Sequence, residues 1–228
     1  MTTGSLPSSV SWAASQSVQL TSGRILVAEG TGGTGSQLYD WTTDTWAVTG
    51  AAENVARIGG SLVSLPGSKA LLAAGVIGTN DYNNVSTSTA RIYDEGAGTW
   101  SATGNTSFAH GNRSSILRLA DGRVLLVGGE NLTSQSVAIR DTETWDPNTG
   151  VWTARGQLTV PRREPHLAQL GNGKVIDGSR PLVTLINRRF EPLRGFHIFM
   201  RALPAFMAAV PEADVLVIGA DERGGYGK

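Results

Sequence analysis

Cysteine is absent from this chain of 228 residues, which excludes disulfides, thiolate metal sites and a cysteine nucleophile. Charge is scarce and even: 19 Lys plus Arg face 19 Asp plus Glu, so no global field draws nucleic acid or an anionic membrane. Long apolar runs are missing too, and nothing approaches the roughly 20 residues that span a bilayer. Residues 1–14 carry neither Lys nor Arg nor an apolar stretch, unlike a secretory signal. The expected location is cytoplasmic or unassigned. What the chain has instead is glycine, 29 of them, with only 17% charged residues. That balance suits a turn-rich β protein better than a helical one.

The most informative pattern is a tyrosine or tryptophan followed seven residues later by a tryptophan. It occurs three times, as Tyr39/Trp46, Tyr93/Trp100 and Trp145/Trp152, with the first aromatics 54 and 52 residues apart. A fixed period near 50 residues marks a repeat architecture. Each repeat opens with an alternating strand that ends in Leu and a turn, as at Leu119-Ala-Asp121-Gly122. There Asp-Gly predicts a two-residue hairpin with φ > 0. An apolar strand follows, 123–127 in this copy, closed by Gly128 and Gly129. A third strand carries the first aromatic and an aspartate (Asp40, Asp94, Asp146), and a fourth carries the tryptophan. Four short hairpin-linked strands per repeat predict one blade of a β-propeller, with the two aromatics on adjacent strands, packed toward the neighbouring blade. A fourth repeat starts at Leu170-Gly-Asn-Gly173 and stops after Ile176.

The stretch 20–152 resembles the kelch repeat, and its Asp-Gly-Arg-Val-Leu wording is especially like the bacterial kelch propellers related to the central domain of galactose oxidase. Gly128, Gly129, Trp145 and Trp152 match that pattern fully; the second copy has Ala74-Gly75, and the first Glu29-Gly30 plus Gly32-Gly33. The radical cofactor of galactose oxidase needs a Cys linked to a Tyr, so the lack of cysteine speaks against that chemistry.

From Pro181 the pattern changes. A continuous apolar strand at 182–186 leads to a polar loop at 187–195. Phe196, Phe199, Leu203, Phe206, Met207 and Val210 then recur at helical spacing, with Pro204 expected to kink or weaken a turn. A second buried strand follows at 214–219. Strand, helix, strand in about 40 residues calls for a parallel βαβ unit. The segment 187–227 resembles the start of the carboxy-terminal, nucleotide-sugar-binding half of bacterial GT-B glycosyltransferases, around Glu191-Pro192-Leu193-Arg194-Gly195-Phe196-His197 and again at 214–221. That resemblance implies donor-diphosphate contacts at Arg188, Arg194 and Gly195; solvated loop charge is the competing account. The acidic pair for the donor sugar and the acceptor domain have no counterpart, so the expected whole is a fusion or a fragment.

The remaining polar residues are read blandly. Asp40, Asp94 and Asp146 recur once per repeat and are expected to cap turns. His110 and His166 precede equivalent strands and could approach a propeller axis, but two ligands make no metal site. Arg57, Arg113 and Arg162 are expected to tie repeats together. No catalytic residue, metal or cofactor is expected. The predicted architecture is mainly β: an incomplete kelch-type propeller of three blades plus a partial fourth (1–178), then a short α/β segment (179–228). Its expected function is that of a binding or structural module. A protein or carbohydrate ligand would meet the loops 76–88 and 130–136, and open blade edges would allow self-association; the alternative is a glycosyltransferase with only the start of its donor domain.

Overall fold

A computed structural model describes residues 16–28, 35–52, 57–77, 85–132, 136–169, 175–176, 182–189, 196–211 and 213–220. The chain is mainly β and divides into two compact units, Met1–Val175 and Ile176–Lys228.

The first unit contains three four-stranded antiparallel sheets. The first is a meander of β1 (Gln16–Gln19), β2 (Ile25–Ala28), β3 (Ser36–Asp40) and β4 (Thr45–Thr49). Next come β5 (Arg57–Ile58), β6 (Ser61–Leu65), β7 (Lys69–Ala73), β8 (Val76–Ile77), β9 (Val85–Ser86), β10 (Ala90–Asp94) and β11 (Thr99–Ala102). Of these, β6-β7-β10-β11 form the second sheet, and β5-β8-β9 a small one of their own. The third repeat supplies β12 (Ser115–Arg118), β13 (Val124–Val127), β14 (Glu130–Leu132), β15 (Ser136–Ala138), β16 (Thr142–Trp145) and β17 (Trp152–Ala154). Its sheet runs β12-β13-β16-β17, with β14-β15 as a separate hairpin. A short pair, β18 (Ala168–Gln169) and β19 (Val175–Ile176), follows. The segments 76–88 and 130–136, expected as loops, thus carry hairpin strands, because β-branched and apolar residues there find antiparallel partners: Val76 opposite Ser86, Glu130 opposite Ala138.

The seven-residue aromatic spacing has a simple geometric meaning. Tyr39 pairs with Trp46, Tyr93 with Trp100 and Trp145 with Trp152, each directly across adjacent strands. The first two pairs bring their rings to 4.9 and 5.2 Å between centroids in tilted packing. The core lies between successive sheets. Leu20 and Leu26 of the first repeat meet Ala70 and Tyr93 of the second; Leu71, Ala73 and Ala90 of the second meet Val124, Leu126, Trp145 and Trp152 of the third.

Two repeating polar clasps hold sheet to sheet. At the end of the fourth strands, Gly50 N donates to Gly98 O at 3.0 Å, and Gly104 N to Gly150 O at 3.0 Å. The preceding threonines bond the next repeat's aromatic: Thr49 Oγ1 with Tyr93 Oη at 2.8 Å, and Trp145 Nε1 donating to Thr103 Oγ1 at 3.1 Å. At the end of the second strands, Gly75 N donates to His110 O at 2.9 Å, and Gly129 N to Arg162 O at 2.9 Å. The diglycine is required here for conformation and space. Gly75 has φ 94°, and a Cβ on it would lie 2.9 Å from backbone atoms of Gly60 and Ile58. Ala74 departs from the pattern and sits at φ 61°.

The hairpin turns differ from expectation. Leu119 N donates to Arg123 O at 2.7 Å, closing a three-residue loop in which Gly122 has φ 87° and Asp121 stays at negative φ. One left-handed residue at the end of a three-residue loop is the other common hairpin solution. Asp121 instead pairs with Arg123 at 2.6 Å.

In the second unit, β20 (Leu182–Arg189) runs parallel to β21 (Asp214–Ala220), with Leu182 opposite Asp214 and Ile186 opposite Ile218. Between them lies α1 (Phe196–Ala209), which continues through Pro204. Phe199, Leu203, Phe206, Met207 and Val210 are the half-buried side of the helix, while Ile198 and Met200 are exposed.

Comparing two glycine-to-alanine substitutions separates backbone conformation from lack of space. Gly67 has φ 72° with nothing near its missing Cβ, so Gly67→Ala should cost about 1–2 kcal/mol. Gly75→Ala adds the backbone collision and should cost several kcal/mol by the strain and overpacking together, each about 1–3 kcal/mol. Urea midpoints at unchanged slope measure the difference; equal losses would show that the Gly75 clasp has room to give.

Candidate functional site

Antiparallel strands place all connections of one type at one end. Links between second and third strands, and links between sheets, share one end of the first unit; the tight turns share the other. The first end gathers the buried polar residues of the fold.

Arg57, on β5, is buried at 1% exposure. Its Nη1 donates to Ala74 O at 2.7 Å and to Thr89 O at 3.0 Å, and its Nη2 to Thr89 Oγ1 at 2.5 Å. His110 does the same work one repeat later. Its Nδ1 lies 2.8 Å from Gly128 O, the carbonyl equivalent to Ala74 O, and its Nε2 lies 3.2 Å from Glu143 Oε1. So the carbonyl of the first diglycine position receives the basic side chain of its own repeat, and the second position's N–H goes to the backbone of the next. The equivalent series is Arg57, His110 and Arg162, 53 and 52 residues apart. Arg113 does not belong to it: it is half exposed and lies 3.5 Å from Glu164 and 4.0 Å from Glu130. Arg113 ties its repeat to the following connection in another way, with Glu164 N donating to Arg113 O at 2.7 Å, while His110 takes the position equivalent to Arg57 and Arg162.

Glu143 is wholly buried and accepts from Ser107 N at 2.7 Å and Phe108 N at 3.0 Å as well as facing His110. Burial pushes its carboxyl up, but the hydrogen bonds from His110, Ser107 and Phe108 outweigh it and hold the group below the ordinary glutamate range. The Gly128 carbonyl and the Glu143 carboxylate thus flank the two ring nitrogens of His110. Glu130, also buried, pairs with Arg163 at 3.1 Å. Ser86 Oγ of β9 accepts from Leu132 N of β14 at 2.8 Å, joining the two small hairpins.

His166 is exposed and lines a cavity of about 240 Å3 with Gln16, Ser61, Ser114, Ser115 and Pro165. Gln16, Ser61 and Ser115 each begin the first strand of a sheet; Ser115 Oγ donates to Pro165 O, and Ser61 Oγ to Ser114 O at 2.9 Å. His110 and His166 are therefore not brought together. Among the described residues no three His, Cys, Asp or Glu are grouped to hold a metal. Asp40, Asp94 and Asp146 cap their turns through Thr42 N, Gly96 N and Asn148 N at 2.8–2.9 Å.

The diphosphate candidates are placed differently from expectation. Arg188 lies within β20, not on a loop: the strand runs on past a register shift after Ile186, and Arg189 pairs with Ala220. Arg194 and Gly195 lie outside the described residues. Among the described residues no helix is long and apolar enough to cross a membrane.

No protein-family model matches this chain, and no curated protein matches it. Among solved structures it is similar to a fungal alcohol oxidase of the AA5 family in complex with copper, at 18% identity and TM-score 0.49, over 71% of this chain and 47% of that one. The chain spans about half the length of that oxidase, and copper and alcohol oxidation are said of that enzyme alone.

The buried couple sets a pH dependence. A carboxyl held below its unfolded value contributes stability that is complete above the ordinary glutamate value of about 4.3 and is lost as pH falls through the folded value. Glu143→Gln should cost about 1–3 kcal/mol at pH 7 by leaving His110 poorly paired. Urea titrations from pH 7 to 3 should show wild type and Glu143→Gln converging as pH falls; a gap constant with pH would mean that Glu143 is not ionised in the fold.

Proposed function

We propose that residues 16–169 are part of a kelch-type β-propeller and act as a binding or structural module without catalytic residues of their own. The observation that carries this reading is the repetition of one four-stranded sheet three times, joined at both junctions by the same Thr-Gly bonds, with diglycine bonds leading on from the second and third sheets. Propellers are built by such radial repetition, and each repeat depends on its neighbours to bury its faces. The repeat accounts for the paired aromatics, the glycines at positive φ and the capping aspartates.

The ligand surface of this module is the end that holds the inter-sheet connections with β8-β9 and β14-β15, the counterpart of loop faces that carry function on rigid scaffolds. Sheet edges left unpaired in a partial ring favour association with a second copy. Peroxide release from primary alcohols and hexoses, measured on the full chain supplied with copper, tests the non-catalytic reading. No turnover above buffer is expected, and sustained turnover would overturn it.

A second reading, donor binding by a glycosyltransferase-like segment, is favoured by one observation: 182–186 lies parallel to 214–218 with α1 between. Parallel neighbours joined through a helix are the unit of nucleotide-binding sheets. Calorimetric titration of the full chain with uridine and guanosine diphosphate sugars checks it. Saturable binding lost in Arg194→Ala carries the reading, and a flat titration removes it.

A further inference from the structure

The connections that enter the second and third sheets are each held from the same place, the second residue of the third strand. Arg91 lies opposite Leu72 and Ala102 in the second sheet, and Glu143 opposite Leu126 and Ala154 in the third. The two do opposite chemistry. Arg91 Nε donates to Ala52 O of the incoming connection at 3.3 Å. Glu143 accepts from Ser107 N and Phe108 N of its incoming connection at 2.7 and 3.0 Å. A guanidinium keeps its charge throughout the acid range, and a carboxylate does not. The connection that leaves the third sheet uses neither device. There Arg155 N, Leu158 N and Arg162 N donate to Thr142 O, Arg140 O and Ile139 O at 2.8, 2.8 and 3.1 Å.

Glu143 has no other charge to lean on among the described residues. Its own sheet sets Leu126 and Ala154 beside it, and the second sheet packs Leu71, Ala73 and Ala90 against the side that holds Leu126 and Trp145. His110, with Nε2 at 3.2 Å, is the ionisable group that faces it. Ser107 N and Phe108 N can only donate. A proton on Oε2 would point at the first and a proton on Oε1 at the second, and a buried donor without an acceptor is costly.

We propose that Glu143 makes the 103–110 connection an acid-released latch. Protonation of its carboxyl lets go of Ser107 and Phe108 and loosens the third sheet from the second at the connection end, while Arg91 keeps the second sheet fastened to the first. The opening reaches the diglycine clasp, because His110 O and Gly111 N, at the end of the same segment, bond Gly75 N and Glu130 O. Burial pushes the Glu143 carboxyl up, and its hydrogen bonds more than offset that. The latch is therefore shut at neutral pH and opens as pH falls through a folded value below the ordinary glutamate value of about 4.3. The inference goes beyond the module reading and stands whether or not the connection end binds a ligand.

Hydrogen exchange of the full chain, followed by mass spectrometry from pH 7 to pH 3 and corrected for the intrinsic pH dependence of exchange, tests the latch. On acidification, protection over 103–111 should fall about tenfold or more before protection over 45–52, 90–94 and 155–162 changes, as a local opening does. Glu143→Gln keeps one acceptor and carries no charge, so it should show the open segment already at pH 7 and no further selective loss on acidification. Loss of protection in all three sheets together overturns the proposal, and this wild-type reading decides even where the variant does not fold. A folded Glu143→Gln with 103–111 as protected at pH 7 as in wild type overturns it equally.

Discussion

The fold of residues 16–169 depends on how each sheet disposes of backbone groups at the end of its second strand. The chain there turns away through Ala74-Gly75 or Gly128-Gly129, leaving a carbonyl and an N–H inside the protein. Neither can be left unpaired at a cost the fold would tolerate. The carbonyl is met by a basic side chain of the same repeat, Arg57 or His110, and the N–H by the next repeat's backbone at His110 or Arg162. The His110 position thus serves two repeats, its side chain facing its own repeat and its carbonyl facing the preceding one. The close approach that forbids a Cβ at Gly75 lies within the repeat, against Gly60 and Ile58, and sets the N–H in place to reach the next one.

Arg57 and His110 solve the same problem with different chemistry. Arg57 spreads its guanidinium over the Ala74 and Thr89 carbonyls and the Thr89 hydroxyl. His110 is shorter, reaches one carbonyl, and needs a carboxylate for its second nitrogen, which Glu143 supplies from β16. Glu143 in turn ties down Ser107 N and Phe108 N of the incoming connection. Buried ion pairs often gain little over apolar replacements, yet removing one partner is expensive. In this placement of the 103–110 connection His110, Glu143, Ser107 N and Phe108 N are all satisfied at once.

Much of this was legible from the residues and some was not. The aromatic spacing announced its register, because seven residues across a short turn put Tyr39 and Trp46 opposite one another whatever the sheet does next. The apolar strand at 182–186 and its partner at 214–218 were equally plain, being runs of Val, Leu and Ile interrupted only by Thr184 and headed by Asp214. The Arg57–His110–Arg162 series escaped because its residue type changes from copy to copy and only its period is constant. Thr49-Gly50 and Thr103-Gly104 offered a clearer signal, the same dipeptide 54 residues apart. Asp121-Gly122 misled because the dipeptide names a turn residue without fixing loop length, and Leu119 closed the longer loop. Arg188 was misplaced since a polar run reads as a loop even where a neighbouring strand continues alongside it.

The two ends of the sheets divide the labour of polarity. At the connection end, charge is buried and paired, since chains of irregular length must be held against one another and each orphan carbonyl demands a donor. At the turn end the hairpins are short, and the aspartates at 40, 94 and 146 spend themselves on the nearest backbone N–H groups. Hydrogen bonds to Thr42 hold Asp40 below the usual carboxylate range, and those from Lys69 and the turn N–H groups do the same for Asp94. Glu95 is one methylene longer than these capping residues and one position further along the turn, so it overshoots the backbone and meets Arg24 of the neighbouring sheet instead. Trp41 follows Asp40 in the same way and is turned outward by the geometry of the cap. The cleft between these two turns is therefore a by-product of capping them, lined by the capping Asp40 and Asp94 together with Trp41 and Glu95.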